Sequence, residues 1–219
     1  MYPDAFSIER LAHELNVLLN SYILKTVFST SKSDLFFIFD QKKGFKMQFF
    51  KGQGFFQFPD ISQFPLKNRM LWFESCVGKK VVSVNKHQNS RSFELRFENG
   101  HIILFKLFGQ FSNVILFVED QIPKEIFNLN HAKDLEKPYM AYNSQNLDHK
   151  FDSYVNHTDN EEEFIKANPW FGKDALNTLT KLGYFNTDNQ QKVMQTFTSN
   201  YLEQDGYILK QKVSLPKLK

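Results

Sequence analysis

The chain of 219 residues contains one cysteine, Cys76. A single thiol excludes an internal disulfide and any zinc site built from several thiolates, and it fits a reducing compartment. No apolar run approaches the roughly 20 residues that cross a bilayer. The N-terminus carries Asp4 and lacks a basic stretch ahead of a hydrophobic one, so no secretory leader is read there. The expectation is a soluble, cytoplasmic protein with no membrane partner. Motifs that carry common enzyme chemistry are also missing: there is no G-x-x-x-x-G-K-[ST], no H-E-x-x-H and no G-x-S-x-G. The six histidines are scattered, and Ser112 has no base near it in sequence to make it a nucleophile. The reading is a non-enzyme with no metal, cofactor or small-molecule substrate. Cys76, in "LWFESCVGK", reads as a buried structural thiol.

Phenylalanine is abundant, at 25 residues, and most of these alternate with polar positions as strands with one buried face require. With 42% hydrophobic residues, the chain suits one or two modest domains with real cores. The net charge of +3 is mild but unevenly spread. Lys79, Lys80, Lys86, His87 and Arg91 follow one another without an intervening acid, whereas Asp159, Glu161, Glu162 and Glu163 form an acidic cluster. A local basic surface matters more to an anionic partner than the total charge does.

"SIERLAHELNVLLN" places Ile8, Leu11, Leu15 and Leu18 at three- and four-residue intervals, which predicts an amphipathic helix with Ser7 as its N-cap. A meander of short strands follows in "YILKTVFST", "DLFFIFDQ" and "FKMQFF". In "SQFPLKNRMLWFESCVGKK" the period changes. Pro65 can open a helix with Leu66, Met70 and Phe73 or Val77 on one face, and Gly78 can end it. A second meander comprises "KVVSVNKH", "RSFELRFEN", "HIILFKLFG" and "NVILFVED", with Asn99-Gly100 as a tight turn. This order implies an α+β domain of antiparallel strands with packed helices over residues 1–133. A polar linker is expected over 134–160. A small all-α unit, with turns at Asn168-Pro169, Gly172 and Gly183, is expected over 161–206, and a further region begins at 207–219.

One apolar run, "KLFGQFSNVILFVED", is broken by Gly109, Gln110, Ser112 and Asn113. Glycine tolerates unusual backbone angles, and serine or asparagine can bond to the chain itself, so Gly109, Ser112 and Asn113 read as a structural turn between two core strands.

That run also carries a resemblance. "ELNVLL", "FPLKNRMLWFESCVGKKVVSV", "SRSFELRF" and "LFGQFSNVILF" occur in the order and spacing of the NFACT family N-terminal domain, with Gly109, Ser112, Asn113, Ile115 and Leu116 agreeing in its glycine motif. The segment from about 160 to 205 resembles the helix-hairpin-helix region that follows in that family. The resemblance implies a fold similar to the N-terminal domain of formamidopyrimidine-DNA glycosylases. It also implies a part in ribosome-associated quality control, with tRNA and the large ribosomal subunit bearing a stalled nascent chain as partners. The chain ends near where the coiled coil of longer members begins, so it is expected to be a piece of a longer protein.

The family's Asp-Arg pair, which contacts tRNA, maps onto Ser90 and Arg91: the arginine survives and the carboxylate does not. Lys106, Phe108, Gln110 and Phe111 depart from the family's residues in the glycine motif. The RNA-binding candidates are therefore Arg91, Ser90, Lys79, Lys80, Lys86, Lys106 and Gln110, with Phe111 as a stacking platform. A second expectation of a different class is a fibronectin-binding surface adhesin, which another name used in the family suggests. A third is a DNA-glycosylase-like protein. It is disfavoured because Pro3 is locked in an amide behind Tyr2 and cannot offer the terminal amine such chemistry needs.

Overall fold

The computed structural model describes residues 5–87, 90–119, 122–142, 155–168, 171 and 173–203. Helix α1 (Ala5–Leu19) buries Ile8, Ala12, Leu15 and Leu19, a stripe at helical spacing. It starts before Ser7, which lies in its first turn instead of capping it. Asn16 fixes the helix on the strand below, its Oδ1 accepting from the Val84 amide at 2.9 Å.

Among the described residues, ten strands form two antiparallel sheets. The first runs β4-β3-β2-β1-β5, from β1 (Leu24–Ser29), β2 (Asp34–Phe39), β3 (Gly44–Phe50), β4 (Gln53–Gln57) and β5 (Met70–Trp72). The second runs β10-β9-β8-β7-β6, from β6 (Val81–Lys86), β7 (Ser92–Phe97), β8 (Ile102–Lys106), β9 (Asn113–Val118) and β10 (Ile122–Ile126). The α+β class expected from the sequence is the class observed. Gly100, at φ +80°, closes the β7–β8 hairpin, as its place in Asn99-Gly100 requires.

The expected helix after Pro65 does not form. Asn68 and Phe73 take left-handed backbone angles, φ 56° and 52°, which interrupt any helix there. The stretch instead gives β5, paired with β1 through Val27 and Trp72, and a 3-10 turn at Glu74–Cys76. Leu66, Met70 and Val77 of the supposed apolar stripe are exposed, while Phe64, Phe73 and Cys76 are buried. Burial pushes the Cys76 thiol up to about 12, so this cysteine is a poor nucleophile.

Alternation along the strands brings the phenylalanines of both sheets together. Phe37, Phe45 and Phe56 of the first sheet surround Phe105 of the second, with ring centroids 5.4, 6.0 and 5.6 Å away. Phe93 stacks on Phe105 at 4.6 Å. This contact joins the sheets across their inner faces.

The outer face of the second sheet is apolar too, with Ile102, Leu104, Ile115, Phe117 and Ile126 buried there together with Tyr139. What covers it is a strap: a 3-10 stretch at Leu129–Glu136 and a 3-10 turn at Tyr139–Ala141. The polar stretch read as a linker from Asp134 is thus seated on the sheet as far as Tyr142. Its sequence looks solvated because only Asp134 and Tyr139 are buried while their neighbours face water.

The helical unit has its own core of Phe164, Phe171, Leu179, Tyr184, Met194 and Phe197. It is built from α2 (Glu161–Ala167), α3 (Lys173–Lys181) and α4 (Gln190–Glu203), and Gly183 takes φ +77° between α3 and the turn before α4. Asn160 caps α2 by accepting from the amides of Glu162 and Glu163. Pro169 and Gly172, like residues 207–219, lie outside the described residues.

Truncating the ring at the junction of the sheets, Phe105→Ala, should destabilise the fold by about 3–5 kcal/mol, because the surrounding rings belong to strands that cannot collapse into the cavity. The shift of a urea-denaturation midpoint at unchanged slope measures it.

Candidate functional site

Strand register aligns three polar residues across one end of the second sheet: Ser92 pairs with Lys106, and Lys106 with Asn113. All three point to the outer face and all are buried beneath the strap. Lys106 Nζ donates to Asp134 Oδ1 at 2.7 Å, Asn113 Nδ2 donates to Asp134 Oδ2 at 2.9 Å, and the Tyr142 hydroxyl donates to Asp134 Oδ1 at 3.0 Å. Asn113 Oδ1 in turn accepts from the amides of Asn128 and Val114, and Asn128 Nδ2 donates to the Ser112 carbonyl. Burial alone would raise the Asp134 pKa, but Lys106, Asn113 and Tyr142 outweigh it and hold the carboxyl below its ordinary value.

A second polar cluster lies alongside. Glu94, fully buried, accepts from His87 Nε2 at 2.7 Å, from the Tyr139 hydroxyl at 2.6 Å and from Arg96 Nε at 2.5 Å. The other ring nitrogen of His87 lies 3.1 Å from the Tyr142 carbonyl and 3.2 Å from Ser92 Oγ. Ser92 Oγ is 2.7 Å from Ser90 Oγ. Burial pushes the Glu94 pKa up, and the hydrogen bonds and charges of His87, Tyr139 and Arg96 more than reverse it. The two clusters meet at Tyr142 and tie the strap down at both of its 3-10 segments.

Between the strap and the turn joining β8 to β9 opens a cleft of about 880 Å³. Ser90, Lys106, Phe111 and Asp134 line it, as do Phe108, His131, Lys133, Lys137 and Tyr142. The turn itself is a 3-10 segment at Gly109–Phe111. The Arg91 guanidinium lies over the Phe108 ring at 5.8 Å. Phe111 is 53% exposed, its ring edge-on to His131 at 5.6 Å. Gln110 is exposed, and its carbonyl is 3.0 Å from His131 Nε2. The only carboxylate lining the cleft among the described residues, Asp134, is matched by Lys106. What remains at the mouth is cationic and aromatic, chemistry suited to an anion carrying flat rings.

The basic residues that adjoin in sequence are not one patch. Lys79 and Lys80 precede β6 at the end opposite the cleft, where the Lys80 amide donates to Glu98 Oε1 at 3.2 Å. Lys86 is largely withdrawn from water; burial lowers its pKa against the pull of Glu9, and its Nζ donates to the His87 carbonyl at 2.9 Å. His87 is buried against Glu94. Lys106, read as an RNA contact, is the buried partner of Asp134 and not a free surface cation. Of the remaining candidates, Ser90 and Phe111 line the cleft, while Arg91 and Gln110 lie outside its lining and touch it only through Phe108 and His131. Sequence reasoning missed Asp134, Tyr139 and Tyr142, since a polar stretch without periodicity gives no sign of being packed, and it missed Lys133 and Lys137 for the same reason.

Lys106→Met should destabilise the chain by about 3–5 kcal/mol, because it strands the Asp134 charge under the strap, and adding Asp134→Leu should restore most of the loss. Urea denaturation of the single and double variants decides this. The pH dependence has a definite sign. Asp134 and Glu94 titrate lower in the fold than in the unfolded chain, so their contribution is full above the unfolded carboxylate range, about pH 4, and is lost as pH falls through the lowered values. Denaturation midpoints measured from pH 7 downward should fall steeply only below that range.

No protein-family model matches the chain, and no curated protein matches it in sequence. Solved structures do match it. The fibrinogen-binding protein from Staphylococcus aureus superposes with a TM-score of 0.66 at 14% identity, covering 92% of this chain and 83% of that one. The N-terminal part of the fibronectin/fibrinogen-binding protein from Streptococcus suis superposes with a TM-score of 0.62 at 13% identity, covering 90% and 84%. At such identities the likeness is one of fold: this chain shares the α+β architecture of these fibronectin- and fibrinogen-binding proteins.

Proposed function

We propose that the chain is the RNA-binding part of a ribosome-associated quality-control factor, engaging tRNA and the large ribosomal subunit through the cleft beside β8 and β9. The observation that carries this reading is the mouth of the cleft, where Arg91 lies over Phe108 and a half-exposed Phe111 stands nearby. A guanidinium donates paired hydrogen bonds to phosphate, and an exposed ring offers a face to an unstacked base. Lys133 and Lys137 extend the cationic rim along the strap. The resemblance of "SRSFELRF" and "LFGQFSNVILF" to the NFACT family supports the same reading, and those two segments supply Ser90, Arg91, Gln110 and Phe111.

A second reading follows from the names of the structural neighbours: a surface adhesin for fibronectin or fibrinogen. The two are separable by what the chain captures. Under the first, the protein cosediments with large ribosomal subunits and fails to bind immobilised fibronectin or fibrinogen; the reverse outcome selects the adhesin. In a tRNA gel shift, Arg91→Ala should weaken binding about tenfold and lower the slope of log affinity against log salt by about one. Binding indifferent to both salt and Arg91 removes the cleft from the RNA surface.

A further inference from the structure

A sheet edge is a row of unpaired amides and carbonyls, and a folded chain has to keep other strands from adding to it. Among the described residues, three of the four sheet edges are guarded. β10 carries Pro123 and a register shift between Pro123 and Glu125. β6 has a shift between Val81 and Ser83, and helix α1 reaches it through Asn16, which accepts from the Val84 amide. The β8–β9 turn lies against β4 and the hairpin tip before it: a Cβ on Gly52 would fall 2.6 Å from the Gln110 carbonyl oxygen, and one on Gly54 would fall 3.0 Å from Leu107.

β5 has none of these devices. It is the last strand of the first sheet and pairs with β1 on one side only. Met70, Leu71 and Trp72 include no proline, glycine or charge, and their ladder to β1 runs without a shift. Met70 is 62% exposed and Leu71 54% exposed. The chain leading into the strand is fixed. Asn68 turns it at φ 56°, Arg69 Nε donates to the Pro65 carbonyl at 2.7 Å, and the Arg69 guanidinium lies 4.1 Å over the Phe28 ring. A strand held ready in this way gives up little freedom on pairing.

The two ends of β5 differ in charge. Lys67 and Arg69, both exposed, precede it. Glu74, also exposed, follows it, and Glu125 reaches the same end from β10, where its Oε2 accepts from the Phe73 amide at 3.1 Å. Burial and then the Glu74 charge raise the Glu125 pKa, against the Phe73 bond and the nearby Lys124. The apolar centre is thus basic on its approach and acidic on its exit. Set antiparallel to a second copy, such a strand meets its complement: Leu71 faces Leu71, Met70 faces Trp72, and the basic approach of each copy lies beside the acidic exit of the other.

We infer that β5 is a self-association edge, where two copies of the chain pair antiparallel about a two-fold axis centred on Leu71 and join their first sheets into one. The pairing is independent of what the cleft binds. An interface of this symmetry uses the same patch on both copies, and the residue on the axis meets itself. Three residues make a short ladder, so the association is weak and set by concentration.

Sedimentation velocity of the full chain from about 1 µM to about 1 mM tests the inference, the weight-average mass rising from that of one chain toward that of two. Leu71→Lys and Leu71→Glu should each weaken pairing about tenfold, because each sets like charges directly opposite, and an equal mixture of the two should pair again. Thermal melting checks the fold of each variant. Met70→Lys, at another exposed position of the strand, should also weaken pairing and serves if a Leu71 variant melts early. A chain that stays single over the whole range overturns the inference. So does association indifferent to Leu71 and Met70, which places the contact on another surface, and so does a mixture of folded Leu71 variants that fails to pair, which removes the two-fold register.

Discussion

The ion pair between Lys106 and Asp134 is the constraint on which the site depends. Taking two charges out of water costs several kcal/mol for each, and the attraction between them offsets this only when the remaining polar atoms are also satisfied. Here they are: Asn113 and Tyr142 complete the carboxylate, and Asn113 itself is held by the Asn128 amide. Because a half-satisfied arrangement of this kind is worse than an apolar one, it tolerates little displacement of its members. Lys106 and Asn113 sit on neighbouring strands in fixed register, so the strap that brings Asp134 must arrive in one position. That position seats Tyr139 on Phe117 and sets the width of the cleft.

The two sheets contribute differently to this surface. The second sheet supplies the polar row, the turn at Gly109–Phe111 and the floor of the cleft. The first supplies the hairpin tip that abuts Gln110, and it is held in register with the second by the rings around Phe105. Rigid stacking of phenylalanines is a suitable way to fix two sheets relative to each other, because interiors packed at crystal-like density transmit position without slack. The abundance of phenylalanine in the chain is therefore connected to function only indirectly. Among the described residues of the two sheets, most of the rings lie in the core that places the few facing water.

Much of the first domain was legible in its sequence. β-Branched and aromatic runs with turn residues between them marked seven strands, and the turn chemistry of Asn99-Gly100 needed no tertiary information. β4, β5 and β10 escaped because "QGFFQ", "MLW" and "IPKEI" are short and interrupted by glycine, exposed side chains or proline. The helix expected after Pro65 failed for a related reason: Leu66, Met70 and Val77 matched a helical spacing but are exposed, and spacing says nothing about which apolar residues the fold leaves in water. At the site, residues from one stretch of chain were found and residues from the strap were not. Glu94 and Arg96 alternate with Phe93, Leu95 and Phe97 as a solvent face would, and only the arrival of Tyr139 turns that face into an interior.

The fate of the basic residues carries the broader point. Sequence proximity gathered Lys79, Lys80, Lys86, His87 and Arg91 into one cationic run, but a strand separates its two ends by its full length and its pleat sends neighbours to opposite faces. Register places Lys86 opposite Phe93 and Val81 opposite Phe97, so the Lys79-Lys80 pair lies at the far end of the sheet from Arg91. Of the positive charges near the cleft, Lys106 is neutralised by Asp134, Lys133 and Lys137 line it, and Arg91 lies over the ring of the lining Phe108. An anionic partner meets the charge that remains after internal pairing, distributed as the fold distributes it. That remainder is concentrated where exposed rings are also found. Under the proposed RNA-binding reading, the coincidence of unspent cations with accessible aromatic faces favours a polyanion that carries bases, since a simple polyanion has no use for the rings.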